Sequence, residues 1–359
     1  LADADGIGDR VRAWDWLYYL DKYRKAQFGL DAEAVKPYLS LDNVLAMIFS
    51  AAGRLHGLAF TPLPDAPRVH ADVRVYEVAR DGKAIGVVWM DLLYREGKMR
   101  GSWQAEIQAA ENFRGRRMCF SNVCSNIETP KGDGPILMGW EYANVLFHEF
   151  GHALHGLMSR ARYPSQSGTA VLGDFVEFPS QVMENWLSLP ETLQTHARHH
   201  QTGEALDEAL LGRVLAARND GQGFAMVEYL SCALIDLALH RHDAPEELNL
   251  AEFEAAFLAE IGMPEGMALR HRPIHFGHLF SGDGYAAGYY FYLWAEVLDA
   301  DGFEAFEEAG NPFDPALAAG LKSIFEAGDT EDPMTLYTAF RGRPPQVDAL
   351  LRKRGLVGA

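Results

Sequence analysis

Tyr142-Ala143-Asn144-Val145-Leu146-Phe147-His148-Glu149-Phe150-Gly151-His152-Ala153-Leu154-His155-Gly156-Leu157-Met158 is the stretch on which the reading of this chain turns. Val145, Leu146, Phe150, Ala153, Leu154 and Leu157 recur at the spacing of a buried helix. Four helical steps bring His148 and His152 to within about 40° of each other, roughly 6 Å apart along the axis. Two imidazoles so placed can each give a nitrogen to one Zn²⁺. Glu149 lies beside His148 and can reach a water on the metal without ligating the ion. The chemistry needs this pairing: the metal lowers the water's pKa to about 7, and the carboxylate takes its proton during attack. The ordinary alternative is two histidines on an amphipathic helix. The unbroken apolar pattern around them favours the metal.

Zinc in a catalytic site wants a third protein ligand and an open position. A third histidine six residues after His152 is absent, because Met158 stands there. Asp174-Phe175-Val176-Glu177-Phe178-Pro179-Ser180-Gln181-Val182-Met183-Glu184 offers carboxylates instead. Glu177 and Glu184 share a face if the segment is helical, so one could ligate while the other orients a histidine from behind. His155 is a weaker candidate, since three helical histidines in a row splay too far along the axis.

Working outward, residues 10–27 and 41–56 carry apolar residues at helical spacing: Trp14, Leu17 and Tyr18, then Val44, Met47, Ile48, Ala51 and Leu55. A β-rich subregion spans about 68–128. Val73 to Val78 and Ile85 to Leu92 flank Arg80-Asp81-Gly82-Lys83, a hairpin pattern, and Met118 to Ile127 reads as a further strand. From about 138 to 359 the pattern is helical. No Ser/Pro-rich linker divides the chain, which reads as a single domain over 1–359.

The 359 residues are 48% hydrophobic and 23% charged, which excludes a disordered chain or a small disulfide scaffold. The net charge of −18 repels nucleic acid and anionic membranes, so neither is an expected partner. No apolar run is expected to span a membrane. The acidic start, Leu1-Ala2-Asp3-Ala4-Asp5, does not read as a signal peptide. Cys119, Cys124 and Cys232 read as free thiols of a reducing compartment, and the expected location is cytoplasmic.

A second constellation comes late. His275-Phe276-Gly277-His278 precedes a glycine loop, followed by Tyr285-Ala286-Ala287-Gly288-Tyr289-Tyr290-Phe291-Tyr292-Leu293-Trp294. Tyr285, Tyr289 and Tyr292 fall at i, i+4 and i+7, one helical face. Tyr290, Trp294 and Val297 fall on another, read as core. Phenol and imidazole donors can stabilise the oxyanion formed when a carbonyl is attacked.

Together these stretches resemble the thimet oligopeptidase and dipeptidyl carboxypeptidase family of zinc metallopeptidases. The resemblance includes Leu146 to His155, Asp174 to Trp186, Phe276-Gly277-His278 and Tyr285 to Trp294. Arg68 to Val73, Met90 to Lys98 and Phe340 to Leu351 are also similar. It implies a mainly α, zincin-like catalytic domain with a small antiparallel β-sheet, and one Zn²⁺ per chain. By the same resemblance His148, His152 and Glu177 are the ligands and Glu149 the general base. His278 and Tyr292 are donors to the oxyanion, Tyr285 and Tyr289 contact substrate, and Asp174 and Glu184 support the ligands.

Within the family, His155 to Met158, Arg162-Tyr163, Ser167-Gly168-Thr169 and Val176 to Pro179 look most like the dipeptidyl carboxypeptidase branch. Three departures stand out. Family members are considerably longer, with an N-terminal helical half that this chain lacks, so it looks like the catalytic half alone. Gly173 stands where the family carries Arg. The loop from His278 to Tyr285 is at least one residue longer than usual. The function implied is zinc-dependent hydrolysis of short peptides, with release of C-terminal dipeptides. The alternatives are an oligopeptidase cutting internally, and a zinc-binding subunit or peptide-binding module inactive without a separate chain replacing the missing half.

Overall fold

The computed structural model describes residues 1–2, 5–7, 11–30, 32–130, 132, 134–244 and 247–357. Helices α1 (Trp16–Phe28) and α2 (Leu41–His56) precede five strands, β1 (Leu58–Pro62), β2 (Arg74–Arg80), β3 (Lys83–Leu93), β4 (Trp103–Gln108) and β5 (Cys119–Ile127). Then follow α3 (Trp140–Met158), α4 (Gly173–Val176), α5 (Phe178–Glu184), α6 (Pro190–His196), α7 (Glu208–Ala217), α8 (Gln222–His240) and α9 (Leu250–Glu260). The last are α10 (Gly277–Phe280), α11 (Phe291–Glu308), α12 (Pro315–Ala327), α13 (Pro333–Arg341) and α14 (Val347–Lys353). The chain divides into two compact units. One comprises residues 32–211 and 295–350, the other 1–31, 212–294 and 351–359.

The larger unit holds the sheet. Asp81 and Gly82 both take positive φ, 51° and 71°, and close the β2–β3 hairpin between Arg80 and Lys83 as the Asp-Gly pair predicts. The sheet order is β1-β2-β3-β5-β4, and β5 runs parallel to β3. The sheet is therefore mixed, not wholly antiparallel as expected, and it begins at Leu58, earlier than the expected 68. Composition explains the order. β5 alternates buried Cys119, Ser121 and Val123 before Cys124, Ser125 and Ile127, and takes the interior position. β4, with Gln104, Glu106 and Gln108, suits the edge. Because the chain reverses into β4 and again into β5, the strand inserted beside β3 points the same way as β3.

Helix α2 starts at Ser40, whose hydroxyl accepts the Asn43 N–H at 3.2 Å, and stops at Gly57 in the left-handed region. It buries Val44, Met47, Ile48, Ala51 and Leu55, the residues its spacing marks. Helix α3 is covered along most of its length, from Leu146 to Met158. Phe150 packs on Phe49 and Phe60, whose rings stack at 4.3 Å. On another side α3 nearly touches α5. A Cβ at Gly151 would stand 2.6 Å from Ser180 Cα and 2.7 Å from the Pro179 carbonyl oxygen.

The smaller unit packs Cys232, Ile235 and Leu239 of α8 against Leu269, Phe276 and Leu279, with Phe253 and Phe257 of α9 alongside. The α1 face differs from the one expected. Trp14, Leu17 and Tyr18 are 80%, 72% and 59% exposed. The packed face runs through Trp16, stacked on Phe224 at 4.3 Å, and Arg24, which binds Asp220. Helix α8 also departs from expectation. With 19 residues and a mean hydropathy of 1.3 it is long and apolar enough to cross a membrane by length and composition alone. It carries Glu228 and a fully buried Asp236, which accepts the Tyr289 N–H at 3.0 Å.

Gly151→Ala should lower stability by roughly 1–3 kcal/mol through backbone clash, read as a lower urea midpoint at unchanged slope. Glu106 lies against Gly156 and Gly168, and burial pushes its carboxyl up to about 7. A carboxyl raised in the folded state makes the protein lose stability as pH rises from about 4.5 towards about 7, with the loss complete above that. Glu106→Gln should flatten that window in urea melts taken across it.

Candidate metal centre

The residues picked out around the histidine pair converge. His148 and His152, one turn apart on α3, have ring centroids 5.0 Å apart and nearly perpendicular planes. Glu177 is the hinge residue between α4 and α5, and one of its oxygens, Oε2, lies 3.2 Å from His148 Nε2 and 3.1 Å from His152 Nε2. The Ser180 hydroxyl donates to the same oxygen at 3.1 Å and to the Glu177 carbonyl at 2.8 Å, fixing the side chain on its own backbone. Among the described residues this is the group of three whose ligand atoms all fall within 4.8 Å of one another.

The donor set suits zinc. A tetrahedral ion with bonds of about 2.0–2.1 Å needs ligand atoms roughly 3.3 Å apart, close to the separations seen. His152 Nδ1 is buried without a hydrogen-bond partner among the described residues. His148 Nδ1 lies 2.8 Å from Glu184 Oε1, and the other Glu184 oxygen accepts from Asn144 Nδ2 at 2.5 Å. A carboxylate behind a ligating imidazole fixes its tautomer and raises its basicity. Burial would raise the Glu177 carboxyl, but His152 and His148 more than offset this and hold it far below the usual range, so it stays charged.

Glu149 is buried on α3, 7% exposed. Burial pushes its carboxyl up, partly opposed by His148 and His152, which makes it a better proton acceptor than an exposed carboxylate. Asp174, in α4, makes no hydrogen bond to the histidines or to Glu177 among the described residues. His155 is separate from the cluster. It is fully buried against Phe325, and burial lowers its pKa to about 3, so it is a neutral core residue.

The late constellation lies in the smaller unit. His278 Nε2 is 2.8 Å from Tyr292 Oη, and its ring lies 4.2 Å from that of Tyr285. The tyrosines do not form a helical stripe. Helix α11 starts only at Phe291, and Ala287 takes φ 55° in the turn before it. Three glycines between 282 and 288 favour turns over helix. The rings still gather, Tyr289 and Tyr292 at 5.6 Å and Tyr285 and Tyr292 at 6.5 Å. Tyr290, expected in the core, is 44% exposed. Asp236 holds the Tyr289 N–H, and the Tyr229 hydroxyl bonds the Tyr289 carbonyl and receives the Leu293 N–H. Tyr229, Asp236, Asn144 and Ser180 escaped the sequence reading. Only the last two had a local cue, one turn from His148 and from Glu177.

The Peptidase family M3 profile matches residues 2–356. The chain belongs to peptidase family M3. It is 38% identical to the dipeptidyl carboxypeptidase of Salmonella typhimurium over 99% of the chain and 53% of that relative. It is 33% identical to the oligopeptidase A of Escherichia coli, over 100% of the chain and 53% of the relative. It is also 34% identical to the organellar oligopeptidase A of Arabidopsis thaliana, over 98% and 46%. The chain thus spans about half the length of the curated relatives it matches.

Glu184→Ala, which strips His148 of its carboxylate, should weaken Zn²⁺ binding about 10- to 100-fold. Glu177→Ala, which removes a ligand atom, should weaken it further. Competition against a chromophoric chelator measures both, and equal affinity in the parent and Glu177→Ala would contradict the assignment.

Proposed function

We propose that this chain is a zinc peptidase acting on short peptides, with His148, His152 and Glu177 holding the ion and Glu149 as general base. The observation that carries this is the single Glu177 oxygen standing 3.2 and 3.1 Å from the two imidazole nitrogens. Bound there, zinc supplies a Lewis acid for the peptide carbonyl and a water acidic enough to attack near neutral pH. The chain's own groups do the rest. Glu149 takes the proton of the attacking water as the C–O bond forms. It then passes that proton to the amine nitrogen as the C–N bond breaks. Glu184 keeps His148 oriented while charge develops. The family resemblance supports His278 and Tyr292 as donors to the carbonyl oxygen, Tyr285 and Tyr289 as substrate contacts, and Asp174 as a support for the ligands.

The identities of 38% and 36% to two dipeptidyl carboxypeptidases favour release of C-terminal dipeptides. An internally cutting oligopeptidase is the second reading, supported by relatives such as the 33% identical oligopeptidase A. A third reading, a subunit that needs a separate chain for activity, is compatible with the half-length match. We place the protein in the cytoplasm, on the strength of three buried free cysteines.

Glu149→Gln should retain Zn²⁺ and lose at least about 100-fold in kcat, since general-base catalysis contributes on that scale. Product masses followed over time on an unblocked peptide test the specificity. Stepwise loss of dipeptides that stops when the peptide C-terminus is amidated indicates the exopeptidase. Cleavage that survives amidation indicates the oligopeptidase. Zinc binding with no cleavage of either peptide favours the dependent subunit.

A further inference from the structure

The far end of α3 borders a cavity of about 520 Å³ within the larger unit. Met158, in its wall, is six residues or about 9 Å of helix beyond His152, so this space is separate from the histidine cluster. The β2–β3 turn and the loop 110–117 complete the wall, which carries Arg80, Lys83, Arg116, Arg117 and Arg160 against Asp81. Glu326 accepts from Arg80 Nη1 and lies 3.3 Å from Arg160 and 3.9 Å from Lys322. Glu111 lies 3.4 Å from Arg117. Cations therefore outnumber carboxylates around one cavity, in a chain whose net charge is −18. The carbonyl end of α3 opposes an anion with only about half a unit charge, which is small beside these side chains.

Arg80 is the informative member. It is 9% exposed, and its buried Nε and Nη2 have no hydrogen-bond partner among the described residues. Both nitrogens are closed off from solvent, so Arg80 contributes positive charge from behind the wall, not an edge that an anion touches. The wall is also fixed in place. Asn112 Nδ2 donates to the carbonyls of Arg160 and Ala161, and Asn112 N–H to that of Arg162, stitching the loop to the end of α3.

We propose that this cavity is a binding site for a phosphate-class dianion, either free phosphate or the phosphoryl group of a small monoester. A monocarboxylate would leave part of the positive excess unmatched. The cavity is roomy enough for an organic group beyond the phosphate. The site is independent of the peptidase reading, since none of its cations belongs to the histidine cluster.

Inorganic phosphate titrated into the full chain at constant ionic strength, set with sodium chloride and followed by calorimetry, tests this. One saturable site per chain is expected. Lys83→Ala combined with Arg116→Ala removes two exposed cations that have no hydrogen-bond or ion-pair partner among the described residues, and should weaken binding at least fivefold with the melting curve unchanged. Arg80→Gln should weaken it more. If Arg80→Gln does not fold, the exposed double variant still decides. A parallel titration with O-phosphoserine separates the sources: tighter binding than phosphate indicates a monoester, equal binding free phosphate. Absence of saturable phosphate binding, or equal affinity in the double variant, overturns the proposal.

Discussion

One carboxylate oxygen lodged between two imidazoles is the constraint on which the larger unit is built. Glu177 is 3% exposed, and a buried carboxylate must be compensated by close partners. His148, His152 and the Ser180 hydroxyl supply them, but only because α3 and α5 come within contact of backbone on backbone. Gly151 is the residue that permits this approach, and it lies inside the motif itself, between the two histidines. The motif glycine is thus a packing requirement of the Glu177 carboxylate.

The rest of that unit serves to keep α3 from moving. Its apolar residues are held by Phe49 and Phe60 and by the sheet, whose most buried strand is β5. Asp91 at the end of β3 binds Arg95 and Lys98, and the Lys98 ammonium also reaches the carbonyls of Leu93 and Ser125, joining β3 to β5 through a buried charge. A rigid helix buried along most of its length is the support that a metal-ligand constellation needs.

The smaller unit solves a different problem. Tyr285 and Tyr289 sit on a glycine-rich turn between His278 of the short α10 and Tyr292 at the start of α11, where helical regularity does not hold them. Their order comes instead from α8, through the Asp236 carboxylate and the Tyr229 hydroxyl on the backbone of Tyr289 and Leu293, and from ring contacts among His278, Tyr285, Tyr289 and Tyr292. The burial of Asp236 within an apolar helix follows from this duty.

What the sequence alone determined was whatever depends on near neighbours in the chain. The pairing of His148 with His152, the covered face of α2, the Asp-Gly hairpin and the family resemblance are of this kind, because helix pitch and turn sterics act over a few residues. Tertiary structure decided the rest. That β5 would insert beside β3 and make the sheet mixed depends on competition between strands for the interior. That Trp16, and not Leu17, would face α8 depends on where Phe224 lies. That Glu177 would meet both histidines, with Glu184 behind His148, depends on the separation of α3 and α5. Nor could periodicity show that Tyr285 and Tyr289 gather on Tyr292 from a turn outside its helix. Such contacts join residues far apart in the chain, and local spacing does not encode the packing that brings them together.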